Sequence, residues 1–305
     1  RQMAVEWFAF PSFMASLFNR PRCLWLVFAS AMVLILSMIG IGGSFSPATN
    51  RVHYASMLPH LTLNVFFLGF TGLALAGMVV GVVRAWKTYQ SESLWQANHA
   101  MLLRAFRAAI IDILAHRRFT DCGEHRLRGC AHWVAFYGFM VLAGLAGVAA
   151  ILIATGGNYP FPVTHPLKVL ANIAAAAMIL GIAYFIYERW NASRQGDAST
   201  YFDWMLLMSL LLIGFTGLLC EVFRYTNIAW VAYPMYFLHL VLVFVLLVSL
   251  PYSKLAHMCY RTLAITSREY DALLARGAGG QNVPISQERL MPLLDRPSLS
   301  LRGSA

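Results

Sequence analysis

An all-α bundle of about six membrane-spanning helices is the fold class this sequence predicts, and three observations carry it. Hydrophobic residues make up 59% of the 305 and charged residues only 12%, against roughly 45–50% and 25% in an average soluble domain. The apolar residues gather into runs of about 20, the length a helix needs to cross a bilayer. Short segments rich in Lys and Arg separate the runs, as connections in a multi-pass protein do. This composition excludes an ordinary soluble enzyme. The formal net charge of +10 would suggest a nucleic-acid partner in a soluble chain, but here the basic residues flank the spans and none is expected.

In chain order, residues 1–23 gather Trp7, Phe8, Phe10, Phe13, Met14 and Phe18 around Pro11, ahead of the basic Arg20 and Arg22, as an amphipathic pre-membrane segment does. The opening lacks the charged, apolar and small-residue order of a signal peptide, and a natural segment upstream of Arg1 is expected. The six apolar runs fall at residues 24–42, 60–83, 132–154, 165–187, 204–223 and 231–250, the last continuing through Pro251 toward His257. Residues 24–83 make a first hairpin and 84–131 a basic connection. Within that connection, residues 94–115 place apolar side chains at helical spacing around Arg104, Arg107 and Asp112, which fits a helix on the membrane surface or a docking face. Residues 132–264 hold the remaining four spans. A tail over 265–305 is Gly-, Pro- and Ser-rich from Gly277 onward and extended.

Orientation follows from positive charge, which stays on the cytoplasmic side of a span. The connection from Arg84 to Ala131 carries Arg84, Lys87, Arg104, Arg107, Arg117, Arg118, Arg126 and Arg128. Placing it inside puts both ends of the chain inside and leaves only Arg51, Lys168 and Arg224, of 23 Lys and Arg, outside. A multi-pass protein of the inner, cytoplasmic membrane is expected. The outer loops, such as residues 156–164, are too short for an outer catalytic domain.

The histidines carry the chemical signal. His239 and His257 are 18 residues apart, which on one continuous helix is five turns and about 27 Å, with both rings on one face. His132 begins the third run at the inner level of His257, and His165 begins the fourth at the outer edge, toward His239. Two bis-imidazole pairs at two depths, His132 with His257 and His165 with His239, are the ligand set that two b-type haems need. His165 stands about 7 Å farther out than His239 at the helical rise, and His60, at the outer start of the second run, is the competing outer ligand, with His53 a weaker one. A histidine deep in an apolar span needs a buried partner; those elsewhere, His99, His116 and His125, need none.

Gly138, Gly144, Gly147, Gly214 and Gly217 leave room either for a porphyrin or for close helix approach. Near the outer edge, Lys168, Glu221 and Arg224 form a charged group, and Glu221 can pair with Arg224 three residues on. The sharper expectation is a quinone pocket of Lys168, Glu221, His165 and Tyr159, with Arg224 beside it. At the inner edge Lys254 and Arg261 can neutralise haem propionates. The five cysteines contain no C-x-x-C pair, so no thiolate metal site is expected.

The residues His165-Pro166-Leu167-Lys168 with Asn172, Thr216-Gly217-Leu218-Leu219 with Glu221 and Arg224, and Pro251-Tyr252-Ser253-Lys254-Leu255-Ala256-His257 with Tyr260-Arg261 resemble cytochrome b subunits of the nitrate reductase gamma type. That group includes the membrane subunit of heterodisulfide reductase, and the chain looks most like the membrane subunit of the quinone-interacting membrane-bound oxidoreductase. The likeness covers about residues 128–264. It implies two haems b, menaquinone as the lipid-soluble partner, and cytoplasmic flavin and iron–sulfur subunits feeding adenylylsulfate reductase. The expected function is electron transfer between menaquinol and those subunits. A heterodisulfide or nitrate reductase complex is the first alternative. A proton-coupled transporter is the second, against which stand the lack of a repeat and of a central carboxylate.

Overall fold

The computed structural model describes residues 7–47, 50–89, 99–114, 126–157, 160–194 and 201–277, and these are helical with no strand among them. The helices are α1 (Ser12–Asn19), α2 (Leu24–Gly42), the short α3 (Tyr54–Met57), α4 (His60–Tyr89), α5 (His99–Leu114), α6 (Arg126–Ala154), α7 (Pro166–Arg194), α8 (Tyr201–Thr226), α9 (Ala229–Ser249) and α10 (Lys254–Gly277). Six stretches are long and apolar enough to cross a membrane: Pro21–Gly42, His60–Thr88, Leu127–Ala154, Pro166–Asn191, Trp204–Thr226 and Ala229–Leu274. The chain is thus a multi-pass helical membrane protein. Large apolar side chains on the outside of the bundle, such as Leu61, Leu180 and Trp230, face where lipid belongs.

Local chemistry sets the helix ends. Gly43 closes α2 through its N–H to the Ile39 carbonyl at 2.8 Å, and a Cβ there would collide with the Met57 carbonyl oxygen. Gly156, at φ 80, ends α6 in the left-handed conformation glycine favours, with Gly157 N–H bonded to the Leu152 carbonyl at 2.7 Å. Pro166 opens α7 at the first helical position, where its missing N–H is harmless. Asn227, at φ 57, makes the tight turn between α8 and α9.

The last apolar run is not one helix. α9 stops at Ser249, Leu250–Tyr252 form a 3-10 turn, and Ser253 is extended with its hydroxyl accepting from Leu255 N–H at 3.3 Å. Pro251 supplies no N–H and breaks the α-helical ladder. The five-turn, same-face relation of His239 to His257 therefore does not hold: the two rings belong to different helices, and His257 sits in the first turn of α10.

α6, α7, α8 and α9 pack in sequence as neighbours, and α9 also packs on α2 and α4, while α10 lies mainly against α5 and α4. Glycine permits the closest approaches. A Cβ on Gly138 would come within 2.8 Å of the Ala174 carbonyl, one on Gly181 within 2.7 Å of the Ala131 carbonyl, and one on Gly214 within 2.9 Å of Met178 Cε. Around α9, Phe66, Phe67 and Phe70 of α4 surround Phe244 at ring separations of 5.3, 6.4 and 4.8 Å. The N-terminal segment folds back onto this core: Phe18 stacks on Tyr252 at 5.5 Å, and Tyr252 donates to the Phe10 carbonyl at 3.0 Å.

Candidate functional site

Helix contacts place the histidines at separate levels. Gly138 of α6 and Gly214 of α8 both meet Met178 of α7, so these three share a level. His239 touches Gly217, three residues beyond Gly214 toward one end of the bundle, and His132 lies six residues from Gly138 toward the other. The two imidazoles stand nine residues apart along the axis, about 14 Å at the helical rise. His257 lies beyond the far end of α9, on the same side as His132. The ring of His132 packs edge-on to Phe185 at 6.1 Å and parallel to Phe136 at 6.3 Å. The Nδ1 atoms of His132 and His257 are both shielded from solvent.

His239 sits in the apolar interior of α9, and its Nδ1 is 2.9 Å from the Thr216 hydroxyl of α8. A Cβ on Gly217 would reach 3.1 Å from its Cε1, so the absent side chain is what lets the ring lie against α8. The other glycines separate by role. Gly138 and Gly214 serve helix approach, whereas Gly144 and Gly147 have nothing within 4 Å of where a Cβ would be.

His165 occupies a different setting. Its Nδ1 accepts the Leu167 N–H at 3.3 Å, satisfying a free amide at the start of α7, and its ring stacks on Phe161 at 4.3 Å. Glu221 of α8, four residues beyond Gly217, lies level with Lys168 and Asn172. His165 is one turn farther out still, about 13 Å beyond His239 along the axis. His60 stands nearer. The contacts of Phe66, Phe67 and Phe70 with Phe244, and of Gly77 with Pro251, show α4 and α9 running in the same direction, and counting back puts His60 within about one turn of the level of His239.

A charged cluster lies beyond His239. Lys168 Nζ is 2.9 Å from Glu221 Oε2, and Asn172 Nδ2 donates to Glu221 Oε1 at 3.3 Å. Glu221 thus pairs across helices with α7. Arg224, the partner its spacing suggested, instead donates to the Phe161 carbonyl at 3.3 Å and to the Tyr225 hydroxyl at 2.6 Å. The Glu221 side chain keeps 10% of its exposure and that of Lys168 27%, so the pair is partly withdrawn from solvent. Nearby, Tyr54 donates to the Cys220 carbonyl at 2.5 Å and stacks on Tyr236; burial pushes its phenol far above the ordinary range, so it stays a neutral donor. Tyr159 and the Lys254 side chain lie outside the described residues. Arg261 is exposed, one turn after His257 on α10.

No group of three or more metal-ligating side chains occurs among the described residues. A haem needs only two, because the porphyrin supplies the rest. His239, with Nδ1 engaged and glycine alongside, and the shielded His132 and His257 toward the other end of the bundle fit that requirement; His165, engaged as a helix cap, fits it less well than His60.

Thr216 and Asn172 hydrogen-bond the candidate residues His239 and Glu221, contacts that the sequence alone does not assign. A usable signal existed for Thr216: it lies 11 residues before Asn227, and His239 lies 11 after Ile228, so an antiparallel hairpin turning there brings them level.

Six apolar spans, a histidine set among them and a cross-helix charge pair near one end define a multi-pass helical membrane protein. Comparison with known proteins specifies the family: Citrate utilization protein B matches residues 16–278, and the chain belongs to that family. It is 26% identical over 272 residues to the Citrate utilization protein B of Escherichia coli, covering 83% of this chain and 68% of that one. It is 27% identical over 218 residues to the E subunit of the dihydromethanophenazine:CoB–CoM heterodisulfide reductase of Methanosarcina acetivorans, covering 66% of this chain and 81% of the relative. The corresponding protein of Methanosarcina thermophila is 26% identical over 226 residues, covering 68% and 84%. No solved structure matches. These relatives support a membrane-associated subunit of a reductase complex, a coarser class than the nitrate reductase gamma or quinone-interacting oxidoreductase subunits the motifs resemble.

Proposed function

We propose that this protein is a di-haem cytochrome b that passes electrons between menaquinol and cytoplasmic flavin and iron–sulfur subunits of a membrane-bound oxidoreductase. The observation that carries the proposal is His239, seated in an apolar helix against Gly217 with Nδ1 engaged, about 14 Å along the axis from the level of His132. An imidazole set within an apolar span calls for bonding partners at both ring nitrogens, of which Thr216 meets Nδ1, and imidazoles toward both ends match two redox centres in series. Haem iron would supply one-electron transfer at each level. His239 would hold the outer group, with His60 favoured over His165 as its second ligand by level, and His132 with His257 would hold the inner one. Arg261 and Lys254 lie close in sequence to His257, where propionates need positive charge.

Glu221 and Lys168 handle protons. A quinol gives up two protons with its two electrons, and a carboxylate held by Lys168 and Asn172 beside His239 can accept one and pass it outward. Arg224, bonded to the Phe161 carbonyl, braces the loop before α7, and Tyr159 completes the expected quinone set. The positive-inside distribution supports both ends of the chain lying in the cytoplasm, where soluble subunits would dock. The Methanosarcina relatives favour a heterodisulfide-reductase-type assembly as partner over the adenylylsulfate route.

Addition of menadiol, a soluble menaquinol analogue, to the oxidised protein in detergent tests the reading. The expected result is growth of the α-band of ferrous haem b. A haem-loaded protein that dithionite reduces and menadiol does not would overturn quinol as the donor.

A further inference from the structure

We infer that Thr216 is a positioning residue that sets the tautomer of His239 and strengthens it as an iron ligand, a role that rests on the haem reading above. The Thr216 hydroxyl has one proton and three close neighbours: the Leu212 carbonyl at 2.7 Å, the Ile213 carbonyl at 3.3 Å and His239 Nδ1 at 2.9 Å. The short bond to the Leu212 carbonyl, an atom that can only accept, takes the proton. The hydroxyl oxygen is left to accept, so Nδ1 of His239 is the donor and carries the ring hydrogen. A neutral imidazole protonated at Nδ1 has its lone pair at Nε2, the atom free to bind iron.

Two further features fit this role. Thr216 is buried, with 4% of its surface exposed, so water does not compete for the bond. Gly217 leaves the ring space beside α8, so ring position is set by hydrogen bonds to α8, at the Thr216 hydroxyl and the Ile213 carbonyl beside it, rather than by a packed side chain. A partner on the far nitrogen orients a ligating imidazole and raises its basicity, which favours ferric iron. His165 shows the opposite arrangement: its Nδ1 accepts a backbone N–H, so the neutral ring carries its hydrogen on Nε2.

The test compares parent protein, Thr216→Val and Thr216→Ser for haem per chain and for the two haem midpoint potentials. Valine keeps the branched shape and removes the acceptor; the helix carbonyls it frees remain bonded within α8. The expected result is an upward shift of one midpoint only, with haem retention at that site weakened roughly 10- to 100-fold, and near-parent behaviour for serine. Thr216→Ala, which removes the hydroxyl without filling its place, gives the same comparison where valine crowds the ring. Unchanged haem content and unchanged midpoints in both valine and alanine variants would overturn the role and leave a helix-to-helix hydrogen bond only. A parent protein that is folded and free of haem would overturn the cytochrome reading and this role with it, and the two failures are told apart by the parent spectrum.

Discussion

The two ends of the bundle differ in what surrounds their cross-helix polar contacts. At the Glu221 end, polar groups reach across helices: Lys168 to Glu221, Asn172 to Glu221, Thr216 to His239, and Tyr54 to the Cys220 carbonyl. At the His257 end polar contacts also cross, Arg128 to Glu188 at 3.4 Å and Tyr252 to the Phe10 carbonyl at 3.0 Å, but α5 and α10 meet through apolar packing of Ala105 and Tyr270. A cavity of about 310 Å³ there, lined by Trp86, His99, Leu102, Leu103, Phe106, Leu263 and Thr266, presents almost only apolar surface. Cross-helix polar pairs in a low-dielectric setting fix geometry sharply, whereas apolar packing specifies shape more than direction.

Four substitutions, one of them paired with a control, test the contrast in descending order of expected effect. Glu221→Gln removes the carboxylate from the charged end and is expected to slow haem reduction by menadiol by about 100-fold, within the usual contribution of a general base, with haem content unchanged. Equal rates would remove Glu221 from proton handling. Gly181→Ala pushes a methyl against the Ala131 carbonyl and Ala135 and is expected to lower stability by about 1–3 kcal/mol as overpacking does, read as a lower thermal midpoint; Gly144→Ala, with open space around it, is expected to leave the midpoint in place. Gly217→Ala brings a methyl to 3.1 Å from the His239 ring and is expected to alter the absorption of one haem and leave the other untouched. Tyr54→Phe forfeits one hydrogen bond, about 1 kcal/mol, and a larger loss would show the Tyr54 phenol to be part of the site.

The sequence made some of this legible and hid the rest for physical reasons. Span positions were readable because lipid demands about 20 apolar residues in each helix, and all six runs recur as spans. Spacing within a helix carried over where the helix is unbroken, and failed between His239 and His257 because Pro251 and Ser253 end one helix and start another. For Glu221, spacing along its own helix offers Arg224 and the expected pocket groups it with Lys168; the structure pairs it with Lys168 on α7. The glycines looked alike in sequence, yet neighbours give Gly138 and Gly214 packing roles and Gly217 a place beside an imidazole. His165 looked like a ligand from its position at a span edge, while the amide of Leu167 gives its ring a second use as a helix cap.

The central claim is that two haems sit at two levels, one held by His239 and the other by His257. The most direct measurement is a pyridine haemochrome count of haem b per chain in the parent protein, His239→Ala and His257→Ala, each checked for intact folding. Two haems in the parent and one in each variant, with the remaining haem differing in spectrum between the two variants, is the predicted result. A folded parent protein without haem, or variants that both keep two haems, would contradict it.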